Sequence, residues 1–188
     1  MDEMKIAVIV GSTRPGRVGA SVAQWVQASA EGRDAIYEIV DIADFHLPVY
    51  DEPLPATLGQ YEGAHTRRWS EAISSYDGFV FVTPEYNRST SGALKNAIDY
   101  LYTEWNNKAA AFVSYGAVGG VRAVEHLRAI AGEVQLADVR TQVSFSLFTD
   151  FADFTSFTPA EHHRAQATEM FDQLEAWAGA LAPLRRAS

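Results

Sequence analysis

The chain has 188 residues, 47% hydrophobic and 21% charged, a balance that fits one globular domain spanning residues 1–188 and leaves no second domain expected. Acidic residues outnumber basic ones 24 to 15, for a formal net charge of -9, which argues against a general nucleic-acid binder because such proteins carry a basic patch or stripe. There is no cysteine, so disulfides, thiolate metal sites and thiol redox chemistry are excluded, and any redox work falls to a bound cofactor.

The first residues, Met1-Asp2-Glu3-Met4, lack the regions of a signal peptide, and no apolar run approaches the length of a membrane span. A cytoplasmic location without membrane partners is expected. The apolar run Ile6 to Val10 predicts a first strand, followed by a helix over residues 19 to 31 that places Val22, Ala23, Val26 and Ala30 on one face. Ile36 to Val40 predicts a second strand. The stretch from Ala43 to Ala64, with prolines and the acidic pair Asp51-Glu52, reads as a flexible surface loop, and His65 to Tyr76 as a weak helix ending before Asp77-Gly78.

Phe79 to Thr83 predicts the third strand, and residues 91 to 103 a helix with Leu94, Ala97, Ile98 and Leu101 on one face, capped from Ser89, Thr90 or Ser91. Ala109 to Ser114 follows as a strand and Val121 to Ala131 as a helix. A fifth strand falls between Val139 and Phe148, and a C-terminal helix opens after Thr158-Pro159, which fit an N-cap and a first-turn proline. Five βα units of this kind predict a parallel sheet with helices on both faces, since parallel strands need crossover connections.

Three loops follow strands and precede helices, so in an open parallel sheet they share the carboxyl edge where ligands bind. The first, Gly11-Ser12-Thr13-Arg14-Pro15-Gly16-Arg17-Val18-Gly19, combines a helix N-terminus with Ser12, Arg14 and Arg17, a chemistry that suits a phosphate. It is neither a dinucleotide fingerprint, because Thr13 takes the second glycine position, nor a P-loop, because Arg17-Val18 stands where lysine and a hydroxyl residue belong. The second, Pro84-Glu85-Tyr86-Asn87, can offer backbone amides and the Tyr86 ring to a planar ligand; a cap or a solvated carboxylate is the simpler use of Glu85. The third, Ser114-Tyr115-Gly116-Ala117-Val118-Gly119-Gly120, allows close backbone approach to a ring carbonyl. The five histidines show no metal spacing, no metal is expected, and Asn87-Arg88-Ser89 matches a glycosylation sequon by letter only.

With Gly92-Ala93-Leu94-Lys95-Asn96-Ala97-Ile98-Asp99 downstream of the second loop, these motifs resemble the NAD(P)H-dependent FMN reductases, a family of flavodoxin-like quinone, azo-dye and chromate reductases. The resemblance spans residues 5 to about 130 and implies a flavodoxin-like three-layer α/β sandwich with a five-stranded sheet in the order 2-1-3-4-5. It implies that Ser12, Arg14, Arg17 and the amides at Val18 and Gly19 hold the FMN phosphate. Pro84, Glu85, Tyr86, Asn87, Ser114, Tyr115, Gly116, Gly119 and Gly120 would border the flavin ring. Arg17 stands where other members carry a small hydroxyl residue. The implied activity is ping-pong hydride transfer from NAD(P)H through FMN to a quinone, free flavin or azo acceptor, without a protein nucleophile, in a homodimer or homotetramer. A flavodoxin-type electron carrier is the alternative. The phenylalanines at 145, 148, 151, 154 and 157 read as core, with a pocket or interface as the other use.

Overall fold

The computed structural model describes residues 3–186. Strands β1 (Lys5–Val10), β2 (Ile36–Asp41), β3 (Gly78–Pro84), β4 (Lys108–Gly116) and β5 (Leu136–Asp138) form a parallel sheet in the order β2-β1-β3-β4-β5. Side chains alternate across it. Ile6, Val8, Val80, Val82, Ala111 and Val113 pack with α1 (Gly19–Ser29) and the C-terminal helix α5 (His162–Arg186). Ala7, Ile9, Phe79, Phe81, Ala110 and Phe112 pack on the other face with α2 (Ala64–Ser74), α3 (Gly92–Asp99) and α4 (Val121–Glu133).

The fifth strand differs from the sequence reading. It divides into β5 and β6 (Val143–Ser146), both paired with β4 and separated by residues 139–142. Arg128 of α4 causes the break: it forms an ion pair with Asp138 and donates to the carbonyls of Val139 (2.8 Å) and Arg140 (3.1 Å) and to the Gln142 side chain. α3 stops short of residue 103, and the buried indoles of Trp69 and Trp105 donate to the carbonyls of Ala97 and Ile98 in its last turn. The 43–64 stretch is tied down rather than loose. Glu52 accepts from the amides of Glu62 (2.8 Å) and Gly63 (2.9 Å), while Asn96 donates to the Pro48 carbonyl and accepts from the Tyr50 amide.

The C-terminal helix opens at His162, so Thr158-Pro159 is not its cap. Asp150 fastens the segment that leads into the helix. Its carboxylate accepts from the amides of Ser146 (2.9 Å) and Ala160 (3.4 Å) and from His163 Nε2 (2.9 Å), and its carbonyl accepts from Thr158. The network anchors a small hairpin, β7 (Phe151–Ala152) and β8 (Ser156–Phe157), on the α1/α5 face of the core.

Asp150 and His163 are both buried, so removing the carboxylate strands a ring and two amides. Burial alone would raise the Asp150 carboxyl, but the Ser146 and Ala160 amides and His163 outweigh it and hold it below the usual range. Asp150→Ala is expected to cost about 3 kcal/mol in urea unfolding. In the parent chain the Asp150 contribution is full above pH about 4 and is lost as acid drives the pH down through the depressed folded value; the Asp150→Ala protein should lack that acid limb.

Candidate functional site

The carboxyl ends of β1, β3 and β4 carry the three loops side by side. The first leaves β1 at Gly11, whose amide donates to the Val82 carbonyl of β3 (2.9 Å) and whose carbonyl accepts from Ser91 Oγ. Ser91 also caps α3 by accepting from the Leu94 amide (3.0 Å), so one hydroxyl fastens the first loop to the helix after the second. A Cβ on Gly11 would sit 2.8 Å from Val82 O and from Leu94. The glycine is there for close packing.

Helix α1 then begins at Gly19 without a side-chain cap and without an acidic residue in its first turn. Its positive end is therefore unopposed. Three groups converge on it. Ser12 is fully buried with its hydroxyl 2.8 Å from Tyr86 OH, which joins the first and second loops. Arg17 forms an ion pair with Asp41 at the end of β2, leaving its buried Nε without a partner among the described residues. Tyr115, only 6% exposed, sends its hydroxyl from β4 to within 2.8 Å of where a Gly19 Cβ would lie; Ser12 is near it, but it completes no well-aligned hydrogen bond among the described residues. Burial, with Tyr86 nearby, pushes the phenol above its ordinary value, so it is a neutral donor at physiological pH. Arg14 is exposed and its guanidinium meets no partner among the described residues.

The second loop is a two-residue hairpin turn. Tyr86 and Ser89 exchange backbone bonds of 2.9 and 3.1 Å while Asn87 (φ 49) and Arg88 (φ 71) occupy the left-handed region between them. Glu85 spends its carboxylate on α4. It pairs with Arg122 through Nε (2.7 Å) and accepts from the Arg122 amide (3.3 Å), which caps the helix that Gly120 enters without a side-chain cap. Long-range pairing of this kind leaves no trace in local sequence.

The third loop turns on Gly119 (φ 76) and Gly120 (φ 73) and is braced by Ser114 Oγ donating to the Gly119 carbonyl (2.6 Å). Its exposed tip, Ala117 and Val118, has amides with no partner among the described residues. All fourteen residues singled out in the three loops thus lie on one edge of the sheet. Tyr115 directs its hydroxyl to the first loop. The two-residue alternation of Ala109, Ala111, Val113 and Tyr115 toward the α1 face is the signal that gives its direction.

A cavity of about 440 Å³ lies at the opposite edge of the sheet, lined by Tyr76, Asp77, Glu104, Lys108 and Arg185, and includes none of these residues. Burial pushes Lys108 there down to about 8, while its ammonium caps α2 through the Ile73 carbonyl (3.0 Å). The described residues contain no cluster of side chains that could hold a metal, and no helix long and apolar enough to cross a membrane.

Comparison with known proteins places this geometry in context. The family model for NADPH-dependent FMN reductase matches residues 4–150. An NAD(P)H-dependent FMN reductase of Nectria sp is 44% identical over 156 residues, covering 78% of each chain. A quinone reductase of Escherichia coli K12 is 35% identical over 137 residues, covering 69% of this chain and 70% of that protein. Among solved structures, the flavoenzyme NAD(P)H:(acceptor) oxidoreductase FerB from Paracoccus denitrificans superposes with a TM-score of 0.71 at 26% identity, covering 92% of this chain and 98% of that one.

The third loop's shape yields a test of its packing. A Cβ on Gly120 would lie 2.8 Å from Ser114 Cβ and 2.9 Å from the Tyr115 nitrogen, whereas Gly16, also left-handed at φ 70, has nothing within 4 Å. Gly120→Ala should therefore lose about 2 kcal/mol or more in thermal or urea unfolding, and Gly16→Ala only about 1 kcal/mol. Equal losses would contradict the packing described.

Proposed function

The chain belongs to the NADPH-dependent FMN reductase family, and from that premise we propose that it transfers reducing equivalents from NAD(P)H through bound FMN to a quinone or similar small acceptor. Bound FMN supplies the two-electron redox chemistry, which a chain without cysteine cannot supply from thiols. The single observation that carries the reading is the Tyr115 hydroxyl, buried at the uncapped start of α1 without a well-aligned hydrogen bond among the described residues. A buried donor left unmade costs free energy unless a ligand answers it, and a phosphate does.

In this reading the amides at Ser12, Val18 and Gly19, the Tyr115 hydroxyl, Arg17 Nε and the Arg14 guanidinium hold the phosphate. Asp41 fixes the Arg17 side chain and keeps part of its charge occupied, so Arg14 supplies the larger share of uncompensated charge. Pro84, Tyr86, Asn87, Ser114, Gly116, Gly119 and Gly120 border the ring, and Glu85 acts through Arg122 to hold the second and third loops together. Donor and acceptor would use the same open side of the site in turn, giving parallel double-reciprocal lines. The proposal includes a single domain, a cytoplasmic location and a homodimer or homotetramer.

Anaerobic addition of NADPH or NADH to the FMN-loaded protein tests the reading. One equivalent should bleach the flavin within seconds; a spectrum unchanged by both nicotinamides would leave an electron carrier instead. Tyr115→Phe separates the phosphate role from packing. It is expected to weaken FMN binding about tenfold while making the apoprotein about 1 kcal/mol more stable, because an unpaired buried hydroxyl is gone. Titration calorimetry and thermal unfolding of the apoprotein check the two halves.

A further inference from the structure

We propose that Phe148 and Phe154 form an aromatic wall at the rim of the site that receives the apolar rings of the electron acceptor, which makes them specificity-determining residues for extended quinones. The inference rests on the reductase reading above. The phenylalanine series divides in the fold. Phe145 and Phe151 are buried and Phe157 packs against the same core, but Phe148 is 68% and Phe154 58% exposed. The two exposed rings meet edge to face with centroids 5.6 Å apart.

Their position is fixed by the backbone. β6 pairs in parallel with the end of β4, Ser146 opposite Gly116, and the Leu147 amide donates to the Gly116 carbonyl (3.0 Å), so Phe148 stands beside the third loop. Exposed Val118, Val121 and Tyr86 belong to the same three-loop edge, which concentrates apolar surface next to the proposed ring site. Phe154 also carries a backbone cost. At φ 59 it occupies the left-handed region at the tip of the β7–β8 hairpin, where glycine or asparagine would be unstrained. The chain thus keeps a large aromatic in water and in a strained conformation, held by the buried Asp150–His163 pair at the hairpin base. The hairpin lies past residue 150, where the match to the family model ends. An acceptor with fused rings fits a surface of two phenyl faces at the mouth of a redox site; the wall supplies contact area and no electrons or protons.

The test uses FMN-loaded Phe148→Ser, Phe154→Asn and the double variant, with menadione and ferricyanide as acceptors. The ratio of kcat/KM for menadione to that for ferricyanide should fall about tenfold in the double variant. Menadione binding to the oxidised holoprotein, measured by calorimetry without nicotinamide, should weaken by a similar factor. Phe154→Asn should unfold at the same temperature or higher, which separates lost contact from lost structure. An unchanged ratio with unchanged menadione binding would overturn the wall, as would a drop in sedimentation mass, which would show that a second copy covers the pair. Failure of NADPH and NADH to bleach the parent protein would instead overturn the reductase reading, while the binding measurement would still judge the wall.

Discussion

Strand β4 is the constraint on which the rest of the site depends. All nine of its residues are buried, it pairs with β3 along one side, and β5 and β6 share the other. Its last residues therefore bind three elements at once: Tyr115 O accepts from the Glu85 amide (3.1 Å), Gly116 O from Leu147 (3.0 Å), and Ser114 braces Gly119. A parallel sheet covered on both faces brings every strand-to-helix loop to the same edge. The second loop, the third loop and the aromatic hairpin inherit their positions from this one strand end.

Electrostatics at that edge are local rather than global. The chain carries a net charge of -9, yet the acids nearest the loops are spent: Asp41 on Arg17, and Glu85 on Arg122 and the α4 amide. Arg14, the start of α1 and a neutral Tyr115 are left to face an anion. Long-range repulsion from the acidic surface falls off within about 8 Å at physiological salt, whereas direct hydrogen bonds at the loop do not. An acidic protein can thus hold a phosphate without a basic patch.

Most of the sheet was legible because β1, β3 and β4 are uninterrupted apolar runs, which is what burial on both faces demands. The edge was not. β5 and β6 are separated by Val139, Arg140, Thr141 and Gln142, and the break belongs to Arg128, a helix residue whose reach cannot be read from strand periodicity. Thr158-Pro159 has the right letters for a helix start, but α5 opens only at His162, and Asp150, in a preceding turn, fixes the segment before it. The candidate loops were found by their place after strands and by the residues in them, glycines in the first and third and proline and asparagine in the second. The pairings that give them shape, Glu85 with Arg122 and Ser91 with Gly11, lie 37 and 80 residues apart and needed the fold. The phenylalanine series was visible as a pattern, while its division into core and rim depends on which side of a hairpin each ring leaves.

The proposed FMN site depends on a phosphate held at the start of α1, and the most direct measurement compares the affinity of the apoprotein for FMN and for riboflavin by flavin fluorescence quenching. The two ligands share the ring and ribityl chain and differ in the phosphate alone. Two or more charge-assisted bonds at roughly 1.5 to 3 kcal/mol each give an expected preference for FMN of about a hundredfold or greater. Equal affinities would contradict the account.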